Sequence, residues 1–248
     1  MDDNQPLVID VGSFHTKGGY SGDDAPRSVF PTVVSGNAVG EEAVSQGPAK
    51  VVQDGAVLDW DALTRVYRHV FYQELRDTPE THPILLSESV FTTSADRAKL
   101  VGIMFDEFSV PALEIIPDAV LAVYSAQRVS GVVVDVGGSD DAGTVRIVPV
   151  VEGKCLATHA VADVAFEDAA TTLARVIHSA DGANEHALAS HVVLSGGAPT
   201  PDLANYLHRG LQNAGYQSVD VIDQPRDRVS VVWKGGALVA ATADFASQ

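Results

Sequence analysis

The sequence predicts an α/β protein built from two related halves. Three observations carry that reading. Strand-like and helix-like segments alternate along the chain. A short motif recurs about half the chain later. Each copy of that motif opens a β-meander.

The first copy is Leu7-Val8-Ile9-Asp10-Val11-Gly12, a buried strand ending in a glycine turn. Lys17–Ser21 and Arg27–Val33 continue the meander. Asp59 caps a helix whose Trp60, Leu63, Tyr67, Val70 and Phe71 recur at three- and four-residue spacing, forming one buried face. Pro83–Leu86 is a short buried strand. Ser94 is the expected cap of the next helix, with Leu100, Val101, Met104, Phe105 and Phe108 inward. Ala112–Ile116 reads as a strand, and Asp118–Gln127 as a helix burying Val120, Leu121 and Tyr124.

The second copy is Val133-Val134-Asp135-Val136-Gly137, matching Val8-Ile9-Asp10-Val11-Gly12. A hairpin of Thr144–Val151 with Lys154–His159 turns at Glu152-Gly153. A helix over Val164–Ile177, a strand at Val192–Leu194 entering Ser195-Gly196-Gly197, and a helix from Asp202 follow. A strand at Val219–Ile222 and a helix from Trp233 to Asp244 complete the pattern.

Composition narrows the class. The 248 residues carry 33 acidic against 16 basic side chains, a net charge of −17. That balance argues against non-specific binding to nucleic acid or anionic membranes. No apolar run reaches the roughly 20 residues that span a bilayer. The single cysteine, Cys155, allows no internal disulfide, and the N-terminus resembles no signal peptide; both fit a cytoplasmic setting. The eight histidines show no metal-ligand spacing.

The Asp-x-Gly turns are the candidate chemistry. Glycine lets backbone N–H groups approach an anion, a serine hydroxyl adds a donor, and a strand-end aspartate can hold the water shell of a cation. Asp10, Gly12, Ser13 and Lys17 fit one phosphate clamp. Asp135, Gly137 and Gly138 fit a second. The alternative is that both are ordinary strand-end turns.

Longer stretches resemble the actin family. They include Lys17-Gly18-Gly19-Tyr20-Ser21-Gly22-Asp23-Asp24-Ala25-Pro26-Arg27-Ser28-Val29-Phe30-Pro31, and Trp60-Asp61 through His69 with Phe71-Tyr72, Glu74-Leu75-Arg76 and His82-Pro83. Leu194-Ser195-Gly196-Gly197 and Ser230-Val231-Val232-Trp233-Lys234-Gly235-Gly236 continue the likeness. The resemblance implies an actin-like fold of two ribonuclease-H-like halves, over 1–127 and 128–248. It implies ATP or ADP with Mg²⁺ or Ca²⁺, and self-assembly into a homopolymer. Asp10 and Asp135 would hold the metal through water. Gly12, Ser13, Phe14 and Lys17 would line the first phosphate loop, and Gly137 and Gly138 the second. Gly196, Gly197 and Arg228 would lie beside the adenosine.

Departures from the family pattern are equally informative. The chain is short near 35–58, leaving a vestigial small subdomain, and takes a shortcut between Ile177 and Leu188, where the other outer subdomain is expected to be truncated. It ends at Gln248, soon after the last matching helix. Phe14 replaces a small residue, and either crowds a phosphate or points away. Asp118 replaces a glutamine and Arg146 a histidine. This pair forms either a weak catalytic base and its partner or a salt bridge. The expected function is an actin-like cytoskeletal filament with weak nucleotide binding and little hydrolysis. A slow Mg-ATPase and a monomeric module for protein partners are the alternatives.

Overall fold

The structure is a computed structural model that describes residues 4–137, 144–180, 182, 184–198, 202–224, 227–242 and 245. The chain divides into two compact units, Met1–Ile116 with Gly236–Gln248, and Pro117–Gly235.

In the first unit, β1 (Leu7–Val11), β2 (His15–Tyr20) and β3 (Ser28–Pro31) form the expected meander. A small sheet follows, of β4 (Val33–Ser35), β5 (Ala38–Val39) and, after α1 (Glu41–Val44), β6 (Ala49–Lys50). β7 (Val52–Gln53) and β8 (Ala56–Val57) make a hairpin. Residues Val34, Val39, Val51 and Val52 anchor this short segment in the unit's core.

Helix α2 (Trp60–His69) starts where Asp59 accepts from the Ala62 N–H at 3.0 Å. It widens into a π-turn over Val70–Leu75 that ends at Arg76 in the left-handed region, φ 55°. Then come β9 (Ile84–Glu88), α3 (Ser94–Gly102) and β10 (Leu113–Pro117). The main sheet runs β10-β9-β1-β2-β3.

Two expectations are corrected here. Thr93, not Ser94, caps α3: its Oγ1 accepts from the Asp96 N–H at 3.1 Å and donates to the Asp96 carboxylate at 2.7 Å. This reciprocal pair satisfies a free helix-end donor better than one hydroxyl alone. Phe105 is exposed. The helix widens over Ile103–Glu107, so Leu100, Met104 and Phe108 align on the core at four-residue spacing and Phe105 turns out.

The second unit repeats the plan. After α4 (Asp118–Ser125) come β11 (Gly131–Gly137), β12 (Thr144–Val151), β13 (Lys154–Cys155) and β14 (Val161–Val164). Then follow α5 (Ala169–Ala180), α6 (Glu185–Ala189), β15 (Val192–Ser195), α7 (Leu203–Asn213) and β16 (Val221–Ile222); α8 (Val231–Ala240) begins in this unit, and its residues from Gly236 on belong to the first. The sheet order β13-β12-β11-β15-β16 matches β3-β2-β1-β9-β10 strand for strand. In both sheets the first strand pairs antiparallel with the next and parallel with the strand after the crossover. Central strands of this kind are covered on both faces, which accounts for the unbroken burial of Leu7–Asp10 and Gly131–Val134.

The helix expected over Val164–Ile177 begins later. Val161–Val164 pairs with β12 as a strand instead, and the α-helix starts at Ala169. Its inward face, Leu173, Val176 and Ile177, packs with Leu188, Leu207 and Leu211 in one core. The strand expected at Val219 is confined to Val221–Ile222. The last helix starts two residues early, at Val231.

Candidate functional site

The repeated aspartates occupy equivalent places. Asp10 lies opposite Lys17 in the β1–β2 ladder, and Asp135 opposite Arg146 in the β11–β12 ladder. Opposed residues of an antiparallel pair share one face, so each carboxylate meets a cation. Lys17 Nζ lies 3.0 Å from Asp10 Oδ2, with both side chains 8% exposed. Arg146 Nη2 lies 2.5 Å from Asp135 Oδ2, and Nε donates to the same oxygen at 3.1 Å.

The other carboxylate oxygen is matched too. Ser87 Oγ donates to Asp10 Oδ1 at 2.6 Å, and Ser195 Oγ to Asp135 Oδ1 at 2.6 Å. Each serine follows directly on a buried Leu-Leu or Val-Leu pair; Ser195 is the last residue of β15 and Ser87 the last but one of β9. A serine–aspartate–cation triplet is thus built twice, once per unit. Ser87 was missed by sequence reasoning. The likeness of Ile84-Leu85-Leu86-Ser87 to Val192-Val193-Leu194-Ser195 is the signal that marks it.

The turn between β1 and β2 is Gly12-Ser13-Phe14, closed by the Gly12 N–H donating to His15 O at 3.1 Å. Among the described residues the N–H groups of Ser13 and Phe14 and the Ser13 hydroxyl have no protein partner. They are donors of the kind that cradle an anion. The Phe14 ring stacks on His15 at 6.4 Å and is 42% exposed, so it is no part of the hydrophobic core. Burial, then the Lys17 charge, pushes the His15 imidazole below its ordinary value, against the pull of Glu41.

In the second unit, Asp118 opens α4. Its Oδ1 accepts from the Ala119 N–H at 2.7 Å, and its Oδ2 lies 3.3 Å from Arg146 Nη2. Arg146 therefore joins Asp118 to Asp135, as an ion pair would. Among the described residues, a Cβ added at Gly137 would meet Asp135 Oδ2 alone, at 3.7 Å. Gly138 lies outside the described residues.

Gly196 has a structural reason to be glycine. Its φ is +92°, and a side chain there would strike the Val136 backbone. Among the described residues, a Cβ added at Gly197 would meet only Val229 Cγ2, at 3.5 Å. Arg228 is 9% exposed and forks onto Asp223, with Nε to Oδ1 at 3.0 Å and Nη2 to Oδ2 at 2.7 Å. That fork fixes the guanidinium beside the end of β16.

The family model for actin matches residues 1–179. The chain belongs to the actin family. Its mixed sheets and flanking helices are an actin-like α/β fold. The family binds ATP or ADP with a divalent cation. In this member of the actin family, both oxygens of Asp10 and of Asp135 already accept from a hydroxyl and a cationic side chain. Among the described residues, no three His, Cys, Asp or Glu side chains group as a metal cage. Each carboxylate taken by itself suits a divalent cation poorly, because the cation would compete with the fixed positive charge of Lys17 at Asp10 or of Arg146 at Asp135. No described helix is long and apolar enough to cross a membrane.

Proposed function

We propose that this chain is a self-assembling, filament-forming member of the actin family in which nucleotide binds weakly and is hydrolysed little. The observation that carries the reading is the closure of both strand-end aspartates by cation and hydroxyl within a family fold. Carboxylates held in this way stabilise the units without a ligand.

Little hydrolysis follows from Asp118. Asp118 Oδ2 lies 3.3 Å from the Arg146 guanidinium and Oδ1 accepts from the Ala119 N–H, so a water would share this carboxylate with two donors and a fixed positive charge. Weak rather than absent binding follows from the Ser13-Phe14 turn, whose donors remain available to a phosphate. Gly12, Ser13, Phe14 and Lys17 on one unit, and Gly137, Gly196 and Gly197 on the other, are the residues assigned to nucleotide.

Head-to-tail contacts between identical subunits do not close and so propagate as strands. A surface charge of −17 opposes that association, and salt or divalent ions that screen it favour assembly. Sedimentation and negative-stain microscopy at rising salt, with and without ATP, test the reading. Filaments in both conditions support it. Soluble monomer at high protein concentration in every salt contradicts it and favours the monomeric module.

A further inference from the structure

We propose that Arg146 is a built-in replacement for a divalent cation, so that the phosphate-bearing ligand of this chain is a metal-free nucleotide rather than a nucleotide–metal complex. The inference rests on the nucleotide half of the proposed function for its ligand, and on geometry alone for its cation.

The geometry lies wholly within the second unit. One guanidinium nitrogen, Nη2, stands 2.5 Å from Asp135 Oδ2 and 3.3 Å from Asp118 Oδ2. A cation that joins two carboxylates in this way is what a bound divalent ion would otherwise supply. The three side chains are 16–20% exposed, so a dissolved ion can reach them. Position is fixed by the fold rather than by chance. Arg146 is held opposite Asp135 by the β11–β12 ladder, Ser195 pins the far oxygen of Asp135, and the Ala119 N–H pins the far oxygen of Asp118.

Charge decides the outcome. Among the described residues, Asp118, Asp135 and Arg146 together carry one net negative charge, and the two carboxylates alone carry two. A divalent ion entering the wild-type cluster meets a fixed positive charge at hydrogen-bond distance from the oxygen it needs. Oxygen ligands for Mg²⁺ or Ca²⁺ stand at about 2.0–2.6 Å, so an ion on Asp135 Oδ2 would need the place that Arg146 Nη2 holds at 2.5 Å. An arginine keeps its charge at every accessible pH, so the replacement is permanent.

The test compares Mn²⁺ binding to the full chain by calorimetry and by electron paramagnetic resonance, for wild type, Arg146→Ala and Arg146→Ala/Asp118→Asn. Wild type should bind no Mn²⁺ at this cluster. Arg146→Ala should gain one site, tighter by about ten-fold or more than any wild-type site. The double variant should lose that gain, which separates a real site from a misfolded chain. Circular dichroism checks that each variant folds. Equal Mn²⁺ affinity in wild type and Arg146→Ala overturns the proposal. For the ligand, the thermal shift of wild type with ATP should be the same in EDTA as in Mg²⁺. A shift that requires Mg²⁺ overturns it. No shift in either condition removes the nucleotide half of the proposed function and of this inference, while the Mn²⁺ comparison still decides the role of Arg146.

Discussion

Ser87 donates its hydroxyl proton to Asp10 Oδ1 at 2.6 Å, the same contact, at the same length, that Ser195 makes with Asp135. Both serines reach their carboxylate across a parallel strand pair in equivalent register. The internal repeat therefore extends beyond the Asp-x-Gly turn to the hydrogen bonds that fix its aspartate.

Ser87→Ala should destabilise the protein. Asp10 is 6% exposed, and losing one donor leaves a buried carboxylate oxygen short of a partner. A loss of about 1–3 kcal/mol is expected, read from the urea midpoint. Ser195→Ala should cost a similar amount. An unchanged midpoint for both would show that the hydroxyls carry no weight.

Lys17→Met should cost more, because it strands a carboxylate inside a pair whose side chains are 8% exposed. Breaking one side of such a pair costs about 3–5 kcal/mol, whereas replacing both members by apolar groups costs much less. Lys17→Met/Asp10→Leu should therefore recover much of the lost stability. A double variant no more stable than the single one would contradict the pairing.

Acid stability should depend on Asp77. Burial pushes its carboxyl up, but bonds from Tyr20, the Thr78 N–H and His82 outweigh this and hold it below the ordinary value. A carboxylate lowered in the folded state stabilises above its unfolded value, and that contribution is lost as pH falls through the folded value. Thermal melts from pH 6 downward should thus fall more steeply in wild type than in Asp77→Asn. Parallel curves would remove Asp77 from the account. At the alkaline end, burial and the Asp77 hydrogen bond push the Tyr20 phenol up to about 12.

Cys155 should be inert. Burial, then the charge of Asp118, pushes its thiol up to about 12, against a lowering hydrogen bond from the Val120 backbone. Little thiolate exists at neutral pH, so reaction with a disulfide reagent should be slow in the folded protein and fast in urea. Rapid labelling of the folded chain would contradict that environment.

The glycines separate structure from ligand contact. Gly196→Ala should lose stability outright, since its φ and the Val136 backbone forbid a side chain. Gly197→Ala should fold nearly as well as wild type and still weaken the ATP-induced thermal shift. Equal ATP shifts in Gly197→Ala and wild type would remove Gly197 from the nucleotide site.

Much of this fold is legible in the sequence, for physical reasons that can be named. Apolar runs such as Leu7–Ile9 and Val132–Val134 belong to strands buried on both faces, where apolar side chains are favoured and a polar one needs partners. The α2 face reads correctly because Asp59 caps it and its three- and four-residue spacing survives into the core. Legibility failed where winding changed. The π-turn at Ile103–Glu107 moves Phe105 outward, and no local residue announces a wider turn. It failed again at Val161–Val164, where pairing with β12 outweighs a helical pattern. Within the candidate site, the aspartates and glycines stand out by repetition. The pairing of Arg146 with Asp118 is legible, but its contact with Asp135 follows only from strand register, which spacing across residues 138–143 does not reveal.

The most direct test of the central claim is a pelleting assay on the purified chain, in matched salt, with ATP, with ADP and with neither, followed by microscopy of the pellet. The account predicts filaments in all three, with similar pelleted fractions and little phosphate released. Protein that stays soluble and monomeric in all three, or that assembles only while hydrolysing ATP, would contradict it.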